Sequence, residues 1–171
     1  MLQLLQIATL VTAPVFMVFA ASYDLLTMTI PNRLSLLMLG MFVLCALLLS
    51  FGWMETALHL SAGATVLAVG IGMFAAGWVG GGDVKFAAAT AVWLGFAQLP
   101  EYLFISALAG GVLTIAILAL RRLPLGAAMQ SWTWLDRLHN PKSGVPYGIA
   151  LAFGGLMVLP RSPLWVMVFG G

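Results

Sequence analysis

Gly80-Gly81-Gly82-Asp83-Val84-Lys85 is a short polar stretch that separates two long apolar segments of this sequence. It places the carboxylate of Asp83 between two apolar segments. An ionisable side chain within a membrane is energetically costly, so its presence marks a candidate functional site. A second acid, Asp24, holds an equivalent place at the end of the first apolar segment. Two aspartates in equivalent places suggest a carboxylate pair that shares one proton.

The composition is typical of an integral membrane protein. Of 171 residues, 63% are hydrophobic and only 7% are charged, whereas a soluble domain carries about 25% charged residues. The net charge of +2 is too small and too dispersed to indicate a nucleic-acid partner. A single cysteine, Cys45, excludes an internal disulfide and a thiolate metal cluster. We expect one transmembrane domain over residues 1–171, surrounded by the lipid bilayer.

Six apolar segments predict an all-α, polytopic membrane protein with about six transmembrane helices. The first segment has no basic residue before it, so we interpret it as a retained helix rather than a secretory signal. The fourth and sixth segments are short for a span of about 20 residues. The six segments lie at roughly 3–22, 34–52, 57–79, 84–99, 102–120 and 145–160.

The connections between these segments alternate in charge. Odd-numbered connections hold six of the seven basic residues, and even-numbered ones hold Glu55 and Glu101. An excess of Lys and Arg marks the cytoplasmic side, so both termini are predicted outside and both aspartates near the cytoplasmic face of the inner (plasma) membrane. The long connection 121–144 mixes tryptophan with basic residues. It predicts a cytoplasmic membrane-surface linker, or a platform that presents a substrate.

A carboxylate pair can hydrolyse a peptide bond without a metal or a covalent intermediate. Two close carboxylates do not both ionise easily, so one keeps a proton while the other is charged. The charged group can deprotonate a water, and the neutral group can donate its proton to the carbonyl under attack and then help the amine depart. His59 and His139 fall at opposite predicted faces and are interpreted as interfacial residues. They are too few for a zinc site, so no metal and no cofactor is expected.

Two of these residues also have ordinary structural interpretations. A glycine-rich turn followed by an aspartate is typical of a helix start, because the aspartate caps exposed amides. Lys85 either tunes the ionisation of Asp83 or extends its ammonium group to the lipid headgroups.

At these positions the chain resembles the type IV prepilin peptidases, which belong to the glycine-x-glycine-aspartate (GxGD) class of intramembrane aspartyl proteases. The family motif appears as Gly80-Gly81-Gly82-Asp83, with Lys85 at its usual place. Asp24 matches the first catalytic aspartate and is followed by the family-like Ile30-Pro31-Asn32. Gly144-Val145-Pro146-Tyr147-Gly148 resembles the segment that opens the family's last helix.

The resemblance implies an aspartic endopeptidase at the cytoplasmic face. Such enzymes remove a basic leader from pilin-like precursors, cutting after a glycine that precedes a single apolar helix. The resemblance makes Asp24 and Asp83 the catalytic pair. It implies an active-site loop of Gly80, Gly81, Gly82 and Lys85, supported by Pro31, Asn32, Pro146 and Gly148.

The departures from the family pattern suggest a short form. Larger bacterial members carry four cysteines in an amino-terminal cytoplasmic region and also methylate the new amino terminus. This sequence has one cysteine, so zinc binding and methyl transfer are not expected. The compact form resembles the peptidases of tight-adherence (Flp-type) pilus systems, or archaeal preflagellin peptidases.

Two other classes of function remain open from the residues alone. A small channel or transporter would use Asp24 and Asp83 as an ion or proton site, and predicts flux without cleavage. A non-catalytic subunit of a pilus or secretion machine predicts that both aspartates tolerate asparagine.

Overall fold

The computed structural model describes residues 2–124 and 132–169, and within those ranges the regular structure is entirely helical. The predicted all-α class is therefore confirmed. Eight α-helices occur in this part of the chain: α1 Leu2–Thr27, α2 Asn32–Leu48, α3 Trp53–Ala75, α4 Gly81–Leu94, α5 Leu99–Leu120, α6 Thr133–His139, α7 Gly148–Val158 and α8 Pro163–Phe169, with a 3-10 turn at Leu159–Arg161.

Three of these helices are long and apolar enough to cross a membrane: α1 over Gln6–Thr27, α3 and α5. A fourth span results if α7 and α8 count together, with a bend of 52° between Gly148–Arg161 and Pro163–Phe169. The 17 residues of α2 form a shorter apolar helix, and the 14 residues of α4 cover only about 21 Å. The chain is thus a membrane protein, while the six-span count and the outside termini stay predictions.

Several helix ends differ from the predicted boundaries, and two of these differences concern the aspartates. α1 continues past Asp24 to Thr27, and α4 begins at Gly81. The apolar pattern stops at each acid, but backbone hydrogen bonding continues: the Met28 amide donates to the Asp24 carbonyl oxygen at 2.7 Å. Both carboxyl groups therefore project from helical turns rather than from flexible connections.

The short helix α4 lies at the centre of the bundle. It packs against α2, α3 and α7, and α7 packs in turn against α1 and α5. Small side chains allow these close approaches. A Cβ atom added at Gly63 of α3 would lie 2.9 Å from the Ala88 carbonyl oxygen and 2.3 Å from Val92 Cγ2. The packing fixes the amino-terminal ends of α4 and α7 relative to α1.

His59 lies in the core of the bundle, with 4% of its surface exposed. Its ring stacks on Phe42 and meets Phe51 edge-on, with centroid distances of 5.5 and 5.2 Å. Its Nδ1 atom is 2.8 Å from the Val92 carbonyl oxygen. That hydrogen bond satisfies the ring within the bundle, which makes burial possible.

An ion pair marks the opposite end of the bundle from the aspartates. The Arg161 guanidinium contacts the Glu101 carboxylate at the start of α5. The turn Leu159–Arg161 and the start of α5 therefore lie at the same end of the bundle.

Candidate active site

Asp83 occupies the third position of α4, directly after the three glycines. The helix begins with Gly80 as its N-cap, and the Val84 amide donates to the Gly80 carbonyl oxygen at 3.1 Å. The Gly80 amide in turn donates to the Asp83 carboxylate, which is the N3 half of a capping box; glycine has no side chain to supply the other half. A Cβ atom at position 80 would lie 2.8 Å from Asp83 Oδ2. Glycine at position 80 thus leaves the space into which the carboxylate folds.

Asp24 lies in the last turns of α1 and has 4% of its surface exposed. The Gly148 amide donates to Asp24 Oδ2 at 2.8 Å. Gly148 is the first residue of α7, so the carboxylate lies at a helix amino terminus, where unpaired amides and the helix dipole favour an acid. A Cβ atom at position 148 would lie 2.8 Å from Asp24 Oδ2 and from Ile30 Cδ1.

A sharp turn after α1 closes the site from one side. Met28 has a φ of 57°, a left-handed conformation that is rare for a residue with a side chain and is found at functional sites. The chain then passes over Gly82, where a Cβ atom would lie 3.4 Å from Ile30. The turn therefore brings Ile30 onto the glycine segment that starts α4.

Asp24 and Asp83 line the same cavity, which has a volume of about 340 Å³. Asp83 lies in the first turn of α4, outside the candidate spans. Burial raises the pKa of Asp83 to about 7, and the nearby Asp24 carboxyl adds to the rise, while the hydrogen bond from Gly80 lowers it. Near pH 7 Asp83 is therefore protonated in about half of the molecules, beside a second carboxyl group. The other lining residues are Met28, Thr29, Ile30, Asn32, Gly80, Gly81, Gly82 and Val145.

Lys85 contacts Asn32. The sequence suggests instead that Lys85 tunes Asp83 or extends to the lipid headgroups. Its Nζ atom donates to Asn32 Oδ1 at 2.8 Å, and Asn32 lines the cavity. In residues 2–124 and 132–169 the structure shows no ion pair between Lys85 and Asp83. The lysine therefore connects α4 to the first residue of α2.

Pro31 and Pro146 act at helix starts. Pro31 is the N-cap of α2, with extended backbone angles of −64° and 135°, and Pro146 is buried two residues before α7 begins. Among the described residues that line the cavity, neither proline appears. Both prolines fix the direction from which a site-bearing helix begins.

Arg121 organises the chain on the way to Gly148. Its guanidinium donates to the carbonyl oxygens of Leu138, Ser143 and Gly144 at 2.8, 2.8 and 2.9 Å. Within the predicted linker 121–144, Arg137 donates to the Leu26 carbonyl oxygen at 3.2 Å, so α6 lies against the end of α1. Residues 125–131 of that linker lie outside the described residues. The sequence shows Arg121 only as one basic residue in a charged connection.

Comparison with known proteins gave one family. A family model described as the type IV leader peptidase family matches residues 11–115. This range includes both aspartates and the glycine segment, and it ends before Gly148. Searches among curated proteins and among solved structures gave no match.

Proposed function

Because this chain belongs to the type IV leader peptidase family, we propose that it is an aspartic endopeptidase whose catalytic pair is Asp24 and Asp83. Its substrates are pilin-like precursors with a basic leader and one apolar helix. The observation that carries the proposal is the single cavity lined by both aspartates. The raised pKa of Asp83 supports it, because a shared proton is what such a pair requires.

The two groups have different roles in this proposal. Asp83 holds the proton, since its pKa is raised to about 7, and acts as the general acid. Asp24, positioned by the Gly148 amide, acts as the general base. The pair titrates as a unit, so the roles describe the productive protonation state.

The reaction has two steps and needs no other co-reactant than water. In the first step Asp24 takes a proton from the water, and the water oxygen bonds to the carbonyl carbon. At the same time Asp83 gives its proton to the carbonyl oxygen. In the second step the proton on Asp24 passes to the amide nitrogen as the carbon–nitrogen bond breaks. The hydroxyl proton of the intermediate returns to Asp83, which leaves a carboxylic acid, an amine and the original protonation state.

The basic residues around the cavity support an active site at the cytoplasmic face of the plasma membrane. Lys85, Arg121 and Arg137 all make hydrogen bonds at the end of the bundle that holds the aspartates. Basic residues concentrate on the cytoplasmic side of membrane proteins. A basic leader at that face lies beside a site that contains two acids.

The test is cleavage of a candidate precursor co-expressed with wild type, Asp24→Asn, Asp83→Asn and Asp136→Asn. Asp136 is the matched control, because it is an exposed aspartate of α6. We expect a size shift with wild type and Asp136→Asn, and none with the other two variants at equal membrane levels. A cleaving Asp24→Asn or Asp83→Asn variant refutes the pair. Proton or cation flux that depends on both aspartates, without cleavage of any precursor, would assign the site to transport instead.

A further inference from the structure

A second cavity lies beside the first one. It has a volume of about 470 Å³ and runs between α2 and α3, with α4 as its floor. One face of each helix lines the cavity. The lining residues lie between 32 and 39 on α2, between 60 and 67 on α3, and between 85 and 92 on α4. We call it the α2–α3 groove. It exists because both helices pack on α4 and, over their described lengths, make few contacts with each other.

The groove adjoins the aspartate cavity, because Asn32 lines both. Its polar residues cluster at that shared end: Asn32, Ser35 and Lys85. Farther from the aspartates the walls are apolar, with Leu39 on α2 and Leu60 on α3, whereas Leu67 lies near the polar end. The groove thus changes from polar to apolar with distance from the aspartates.

We propose that the α2–α3 groove binds the apolar segment of the substrate that directly follows the cleaved bond. This inference rests on the proposed function and extends it to the substrate's position. From residue 32 to residue 39, α2 rises about 10 Å, which matches about seven residues of a bound helix. The groove therefore takes about two turns of the substrate.

The polar end has a definite role in this arrangement. A substrate segment must be unwound at the cleaved bond, and its backbone groups then need partners where water is scarce. Ser35 is buried, and its Oγ atom has no hydrogen-bond partner in the described part of the chain. Ser35 lies about one turn from Asn32, so it is placed to bond the first backbone groups after the cut.

The first experiment fills the groove without disturbing the core. Ala64 lines the groove and is exposed, so Ala64→Trp adds an indole where the substrate helix would lie. Ala107→Trp is the matched control, because Ala107 is an exposed alanine of α5. We expect kcat/KM for a pilin-like precursor to fall about 10- to 100-fold in Ala64→Trp, because a misplaced scissile bond loses reactivity steeply. We expect no change in Ala107→Trp.

The second experiment detects the substrate without requiring cleavage. In an Asp83→Asn background, Leu36→Cys places a thiol on the groove wall, where Leu36 is 66% exposed. Leu108→Cys on α5, at a residue 61% exposed, is the control. Cys45 is buried and does not compete. A precursor with one cysteine within seven residues after the cut should cross-link to the first variant and not to the second.

The outcomes separate the two proposals. A groove cross-link with no leader release by wild type overturns the peptidase assignment and keeps the groove assignment. Release by wild type and by a stably folded Ala64→Trp variant at equal rates, or equal cross-linking at both cysteines, overturns the groove assignment. Co-purified phospholipid that Ala64→Trp displaces, with cleavage unchanged, assigns the groove to lipid and also overturns it.

Discussion

Gly148→Ala is expected to disable the site while leaving both aspartates in place. An added Cβ atom would lie 2.8 Å from Asp24 Oδ2 and 3.0 Å from Asp24 Cβ. Ordinary contacts begin near 3.4 Å, so the carboxylate has to move by about 0.6 Å (3.4 − 2.8). A misplacement of about 1 Å costs about 100-fold in rate, so we expect kcat to fall about tenfold or more, which is about 1.4 kcal/mol of transition-state stabilisation.

The assay is the initial rate of leader release by purified enzyme in detergent, at a temperature well below unfolding. Thermal unfolding is recorded in parallel, because overpacking costs about 1–3 kcal/mol in its own right. Gly111→Ala on α5 is the matched control, since a Cβ atom there meets nothing within 4 Å. A folded Gly148→Ala enzyme with the kcat of wild type would show that the contact between α7 and Asp24 has no role in the reaction.

Two further predictions concern the proton on Asp83 and the position of α7. The native state holds this proton up to a pKa of about 7, whereas the unfolded chain releases it near pH 4, so stability should fall as the pH rises from about 4 to 7. The test is the thermal unfolding temperature of wild type and of Asp83→Asn, measured across that pH range. The same dependence of unfolding temperature on pH in both proteins would contradict the prediction. Arg121→Lys loses the guanidinium fork that bonds three carbonyl oxygens, so leader release should fall about 3- to 10-fold. The exposed Arg122→Lys serves as control, and an equal effect of the two changes would refute a specific role of Arg121.

The fold class and the two aspartates were accessible from the sequence because their signals are local. A carboxylate between apolar segments can be recognised without knowledge of the tertiary fold. Gly80-Gly81-Gly82-Asp83 contains the residues that start α4. The all-α class follows from apolar length alone. These features depend on near neighbours and not on the arrangement of the bundle.

The partners of these residues were not accessible, because they come from distant parts of the chain. The Gly148 amide lies 124 positions from Asp24, and Asn32 lies 53 positions from Lys85. The sequence does not show that His59 packs in the core, where its partners are a carbonyl oxygen and two aromatic rings. The sequence indicates which environments suit a residue, but the packing of distant segments determines which partners it contacts.

The contact between Gly148 and Asp24 also sets an order of events during biosynthesis. α1 and α4 leave the ribosome before α7, so a nascent chain holds both acids before it holds the amide that positions the first of them. The proposed catalytic geometry would therefore arise only after α7 has joined the bundle. A half-inserted chain would carry both acids without the contact that positions Asp24.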